Sequence, residues 1–373
     1  MPTNYWLKFG NSACTFNGKG VGWEPTTLPP YTIRLKFTDG ITPTFAKGTG
    51  TQVSSSPNVW DLTYADTNWS NLLYGQRNLL EVVAANTTGV TNMYGMFYDC
   101  IRLTSVPLFD TANVTNMHQL FSQAQSLVSV PALNTANVTD MGEMLNGCSS
   151  LTSVPLFNTA NVTNMRGFLA GCFLLTSVPL FDTANVTTME SMLEGCDRLA
   201  SIPTFNTINV QYMRRMLCRC SSLVSVPTLN TANVTDMGAM FEFCTSLVSV
   251  PLFDTTNVRY MEGMLHGCSS LVSVPLFSTA NVTTMEGMLK GCSSLVSVPL
   301  FSTANVTTME MMFLYCESVE SGAVALYQQA STQATPPSRH SYCFYHCGSN
   351  APADAPIHAE MQQIPASWGG LGA

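Results

Sequence analysis

The sequence predicts an α/β repeat solenoid, with short parallel strands on one side and short helices on the other. Three observations carry this expectation: a strict 24-residue period, an apolar pattern that changes from helical to strand spacing inside each period, and turn residues where it changes.

The period is set by Val90, Val114, Val138, Val162, Val186, Val210, Val234, Val258, Val282 and Val306, each 24 residues from the next without insertion or deletion. With Asn113 as position 1, the unit reads N-V-T-x-M-x-x-M-[FL]-x-x-C-x-x-L-x-S-V-P-x-x-x-T-A, and position 5 is Met in ten copies, Met93 to Met309. Met141, Met144, Leu145 and Cys148 recur at the spacing of one helix face, so a helix of about two and a half turns is expected to start at position 3 or 4. Thr187 with Glu190, Thr283 with Glu286 and Thr307 with Glu310 fit a capping box at that start. Gly147 and Gly267, each before its Cys, fit the helix end. Leu151, Val154 and Leu156 then suit a very short parallel strand, which the Pro after the Val keeps to three or four residues. Asn or Asp three residues after that Pro, followed by Thr-Ala-Asn, supplies the returning turn. One unit buries too little to fold alone, so the copies must stack and the ends need caps.

At this point the unit GVTNMYGMFYDCIRLTSVPLFDTA, residues 89 to 112, resembles the BspA-like class of bacterial leucine-rich repeats over about 230 residues. The resemblance implies ten leucine-rich-repeat units with a parallel sheet on the concave side, an association with surface antigens and adhesins, and no catalytic residues. It also implies a kinship with arrays encoded by phages and prophages of gut bacteria, which have a short segment ahead of YTIRLKFTDG-like sequence.

The chain therefore divides into an N-terminal attachment segment at 1–30, a small β-rich cap at 31–78, the solenoid at 79–316 and a C-terminal cap at 317–373. In the first cap, YTIRLKF alternates and TDG suits a hairpin turn; in the last, Ser321 to Gln333 reads as a helix. Trp6, Trp23, Trp60, Trp69 and Trp368 all fall outside the regular repeats and are assigned to cap cores, with stacking on sugars as the alternative.

Composition narrows function. Apolar residues make up 46% of the chain, which excludes a disordered tail, and only 10% are charged, for a net charge of -8 without a basic block. Neither nucleic acid binding nor membrane insertion is expected, and the opening MPTNYWLKFGNSACTFNGKG has no apolar export signal. Nine cysteines keep the repeat phase and Ala124 takes the one vacant slot, so Cys148, Cys172, Cys196, Cys220 and Cys244, with Met141, Met165 and Met189, are expected to be core ladders rather than redox or binding groups. His340, Cys343, His346 and Cys347 have spacings that zinc could use, but Cys343, Phe344 and Cys347 also match a degenerate last repeat with seven residues inserted, and no metal or cofactor is expected. Seven Asn-Val-Thr triplets match a glycosylation sequon and are read as turn and cap residues.

The uniform Ser, Thr, Val and Pro of the strand side offer no acid, base or nucleophile set, so no enzyme is expected, and a repetitive ligand such as a polysaccharide suits that surface. Variation is confined to the outer slots, where Tyr212, Arg214, Arg215, Arg219, Tyr260 and His266 are the candidate ligand-binding residues, Tyr and Arg being favoured interface anchors. The expected function is non-enzymatic host adhesion or receptor binding from the surface of a phage virion. Its partners would be a host cell-surface glycan or protein, and a virion protein held by the N-terminal segment; homo-oligomerisation is left open. A structural decoration protein of the virion and a secreted bacterial adhesin, extracellular or on the cell surface, are the alternatives.

Overall fold

The computed structural model describes strands Trp6–Phe9 (β1), Ser12–Phe16 (β2) and Val21–Gly22 (β3), together with residues 28–372. Strands β1 to β3 form an antiparallel sheet in that order. Apart from them and residues 28–30, the expected attachment segment lies outside the described residues, as do the side chains of Trp6 and Trp23.

A second sheet follows, built from Thr32–Phe37 (β4), Thr49–Ser55 (β5), Asn58–Thr63 (β6) and Leu79–Asn86 (β7) in the order β5-β6-β4-β7. Alternation in β4 buries Ile33, Leu35 and Phe37. The TDG segment does turn, with Gly40 at φ 78, but it does not make the expected hairpin, because β4 pairs with β6 and β7 rather than with the next strand. Strand β7 joins cap to array: Val82 donates its N–H to Ser105 O and Thr104 donates to Leu80 O.

The array stacks rung on rung, and its register is fixed where the helix was expected. Among the described residues no α-helix occurs between 89 and 316. In the rung at Met213, the N–H groups of Met213, Arg215, Leu217 and Arg219 donate to the carbonyls of Asp236, Gly238, Met240 and Glu242 in the next rung. Met216, Cys218 and Cys220 donate three residues back within their own rung. Such alternation needs a left-handed residue every fourth position, and positions 7 and 11 supply it: Gly167 and Gly171 at φ 58 and 73, Arg215 and Arg219 at φ 56 and 63. These residues break any α-helix, yet leave Met, Met, Leu or Phe, and Cys on one inward face. Met141, Met165, Met189 and the Cys ladder are fully buried.

Position 4 carries a column of parallel bridges from Asn68 through Asn116 and Tyr212 to Arg339. The same turn thus exists at 68–76, where Trp69 fills the Met slot with its side chain fully buried. It recurs at 339–347, where Tyr342 and His346 are left-handed and Cys343, Phe344 and Cys347 are buried, in register with the seven-residue insertion. The expected capping boxes do not form. Thr187 Oγ1 instead donates to Thr163 O at 3.2 Å, and Thr188 Oγ1 accepts the Glu190 N–H at 3.3 Å.

The expected strand side forms no named strand among 89–316; its ladder thins to single bonds such as Val248 N–H to Val224 O. Leu156 and its equivalents do not face inward. Phe181 and Phe277 donate their N–H groups to Pro179 and Pro275 two residues back, so Leu180 and Leu276 sit at the apex of a tight turn and are 60% and 62% exposed. The following Phe takes the core slot instead.

The far end is closed by helix Ala323–Thr332 (α1), within the stretch expected, and helix Ile357–Met361 (α2). Glu360 of α2 accepts the N–H groups of Gly322 and Val324 at the start of α1. Thr303 Oγ1, last of the buried Thr column, meets Gln333 Oε1 at 2.8 Å in place of another rung.

Candidate ligand-binding groove

Side chains reinforce the stack at the corner where one unit passes into the next. The Thr at position 23 is buried and donates to the next rung, as Thr231 Oγ1 does to Asp254 O at 2.7 Å. The Asn at position 1 donates Nδ2 to the rung before, as Asn233 does to Ile208 O and Asn257 to Ala232 O, both at 2.7 Å. The sequon asparagines are therefore rung-to-rung ties rather than helix caps. At position 4 an Asx or Thr side chain accepts the N–H two residues on, as Asp140 does from Gly142 at 2.8 Å and Asn164 from Arg166 at 3.0 Å.

Two rungs abandon this rule. Where the other regular units carry Thr followed by Asn, Asp or Thr, these two read Gln211-Tyr212 and Arg259-Tyr260. A phenol ring cannot cap the turn, so both tyrosines give up a local hydrogen bond, and they stand 47% and 46% exposed. Unlike Tyr74, which stacks on Tyr98 at 4.9 Å, neither meets another aromatic ring among the described residues. Between them Asp236 keeps the ordinary role, accepting the Gly238 N–H at 2.8 Å. Tyr212, Arg259 and Tyr260 line a groove of about 830 Å³ with Asn233, Asn257 and Asn281.

The other sequence candidates face elsewhere. Arg214 reaches across a whole rung to pair with Glu262, passing Gly238, where a Cβ would lie 2.5 Å from its Nη1. Hydrogen bonding to Glu262 raises the Arg214 pKa above its ordinary value. Arg215 bridges Glu194 at 2.6 Å and Glu242 at 3.3 Å, and its pKa is likewise raised, chiefly by the Glu194 hydrogen bond. Burial pushes the Glu194 carboxyl up, but hydrogen bonds from Arg215 and Ser191 outweigh it and leave the carboxyl below its ordinary range. His266 Nδ1 lies 2.9 Å from Glu242, and Arg219 packs over the Phe243 ring at 5.9 Å. The six candidates thus separate: Tyr212 and Tyr260 share the groove, while Arg214, Arg215 and His266 belong to an ion-pair lattice on the turns.

At the C-terminal end the zinc-spaced residues diverge. His340 stacks on Trp368 at 4.2 Å, Cys343 and Cys347 are core, and no group of three metal-ligating side chains occurs among the described residues. The Cys column is inert for a physical reason: each thiol donates to a carbonyl 27 residues back, as Cys148 does to Phe121 O at 3.2 Å, and burial pushes the Cys148 and Cys268 thiols up to about 12. Sequence reasoning missed Arg259; its signal was a break in the Thr column, which Gln211 breaks as well, and Arg259 is the charged one of the two.

Stacked 24-residue rungs around a continuous buried Leu, Met and Cys core define a repeat solenoid of the leucine-rich type. Residues 44–155, 150–250 and 224–327 match the family model described as "Mycoplasma protein of unknown function, DUF285", more than half the chain, and the chain belongs to that family. A solved structure, the T. pallidum leucine-rich-repeat protein TpLRR, is similar at 19% identity with a TM-score of 0.33, covering 56% of this chain and 86% of that one. No curated protein matches.

Proposed function

We propose that the chain is a non-enzymatic binding protein that presents the Tyr212–Tyr260 groove to an extended ligand on a cell surface. One observation carries the reading: two alternate rungs of an otherwise uniform column replace a turn-capping Asn, Asp or Thr by an exposed Tyr that gives up the local hydrogen bond. Thiols held protonated by burial and arginines spent on carboxylates fit a presenting role better than a reacting one. The resemblance to phage-encoded arrays favours display on a virion surface for host adhesion, with attachment through residues 1–30; a secreted bacterial adhesin would use the same groove. A structural decoration protein is the second reading, favoured by the exposed Leu252, Leu276 and Leu300 beside Val248, Val272 and Val296, an uncharged surface suited to side-by-side packing.

The test pairs fractionation of a producing culture with cell binding by the labelled full chain. Adhesion predicts copurification with particles and saturable binding to bacterial cells. Tyr212→Asn with Tyr260→Thr, which restores residues that other rungs carry, is expected to weaken that binding at least tenfold. Particle association without cell binding would favour decoration, and binding unchanged in the double variant would remove the groove from the account.

A further inference from the structure

The groove's chemistry narrows its ligand, on the reading that it is the binding site. Arg34, Arg77, Arg166, Arg214, Arg215 and Arg339 pair with carboxylates, whereas Arg102, Arg198 and Arg219 have no ion pair among the described residues but lie outside the groove. Arg259 is exposed and has no ion pair among the described residues. It stands where the neighbouring units place a Thr that ties itself to the rung before, as Thr235 does to Gln211 O at 3.2 Å and Thr283 to Arg259 O at 3.1 Å. The array therefore gives up a tie in the same rung where it sets an unspent guanidinium beside an exposed ring.

The rest of the lining is neutral and polar. Asn233, Asn257 and Asn281 spend Nδ2 on the preceding rung, which leaves Oδ1 as an acceptor at every rung of the floor. The nearest acid in the column, Asp236, is engaged by the Gly238 N–H and lies 3.8 Å from Arg214. A peptide would want an unpaired strand edge or an apolar pocket, and this floor offers neither. A nucleic acid would want many phosphate contacts, which one Arg on a chain of net charge -8 cannot supply. Hydroxyl-rich rings with one apolar face, repeating along an axis and carrying carboxylates, match all three elements: Tyr rings as rigid amphipathic platforms, Asn oxygens as acceptors, and a guanidinium fork for a carboxylate.

We propose that the groove binds an acidic polysaccharide running along the solenoid axis, with Tyr212 and Tyr260 under its sugar rings and Arg259 on a carboxylate. The full chain would be titrated calorimetrically with oligomers of polygalacturonate, hyaluronan and alginate, and with the same oligomers methyl-esterified at their carboxylates. At least one acid form is expected to bind at least tenfold more tightly than its ester. Arg259→Thr should erase that difference, and Tyr212→Asn with Tyr260→Thr should weaken acid and ester alike; both restore residues usual at those positions, and unchanged thermal unfolding would verify the fold. Binding of none of the three acids, an ester that binds as well as its acid, or variants that bind like the parent would overturn the assignment. If no acid binds but the Tyr variant still loses cell attachment, the ligand class falls and the groove stands; if attachment is also unchanged, both fall.

Discussion

The two halves of each unit obey one 24-residue period but are held by different means. In the turn half, every second N–H from positions 5 to 11 crosses to the next rung, as at Met213, Arg215, Leu217 and Arg219. In the coil half, a rung such as Val248 to Leu252 contributes one backbone bond, at 3.2 Å to Val224, and the Thr column supplies a side-chain tie in its place. The turn half sets register and encloses the thiols, Met pairs and aromatic core. The coil half carries the apolar side chains left in water. The groove lies at the seam between them, where ties run through side chains and can be exchanged for binding groups without breaking the backbone ladder.

The largest test of this division is alkaline pH. The thiols at Cys148, Cys268 and Cys316 are pushed up to about 12 by burial, against about 8.5 for a free thiol. Below about pH 8.5 they are protonated folded or unfolded, so the thiols add no pH dependence to stability there. Above it the unfolded chain releases protons that the folded chain retains, and stability falls by about 1.4 kcal/mol per pH unit for each thiol until the folded pKa is reached. Those three alone remove about 8 kcal/mol over two pH units, comparable with the whole stability of an ordinary domain, and burial raises the other six column thiols in the same direction. The urea midpoint should hold to about pH 8.5 and collapse by pH 10. Cys148→Ala should make the fall shallower, and the slot accepts Ala, as buried Ala124 does. A midpoint flat through pH 10 would mean that the column is open to solvent.

A smaller contrast pits the halves against each other by truncation. Phe241 is fully buried in the turn half and Leu252 is 63% exposed at the coil apex. Phe241→Ala is expected to cost about 3–5 kcal/mol and Leu252→Ala to stay within about 0.5 kcal/mol, read from urea midpoints. A comparable loss at Leu252 would show that the coil stripe is covered in solution.

Much of this was legible in residue order. The period, the inward columns and the degenerate rung at Cys343, Phe344 and Cys347 follow from spacing alone. The helix did not, because M-x-x-M-F-x-x-C satisfies a 3.6-residue period equally well when left-handed residues at positions 7 and 11 fold it into stacked turns. Its partners are 23 residues away, beyond any local pattern. The warning lay in glycines four apart, Gly167 with Gly171, Gly263 with Gly267 and Gly287 with Gly291, which a helix interior disfavours. The strand expected over Leu151, Val154 and Leu156 is interrupted by a Pro-Leu-Phe turn, which leaves Leu156 exposed and puts Phe157 in the core. At the site, Tyr212 and Tyr260 are legible as departures from a column, whereas Arg214 and Arg215 stand out by residue type alone and are neutralised by Glu194, Glu242 and Glu262, one or two rungs away.

The finest test asks whether the left-handed slots carry strain that the coil half lacks. Ala239 sits at position 7 with φ 53, whereas Ala132 lies at the exposed coil apex outside the left-handed region. A left-handed L-residue costs about 1–2 kcal/mol, and replacing Ala by Gly loosens the unfolded chain by about 0.4–1 kcal/mol. Ala239→Gly should therefore stabilise the array by about 0.5–1 kcal/mol, and Ala132→Gly should destabilise it by about 0.4–1 kcal/mol. Opposite signs of one substitution, read as shifts in urea midpoint, would show that relief of the left-handed backbone outweighs the loss of the buried Ala239 methyl group, whereas the methyl group lost at Ala132 is exposed. Destabilisation at Ala239 would mean that its Cβ contributes more to packing than the left-handed backbone costs, and the array's tolerance of Glu143, Arg215 and Met311 in that column would then rest on side-chain contacts.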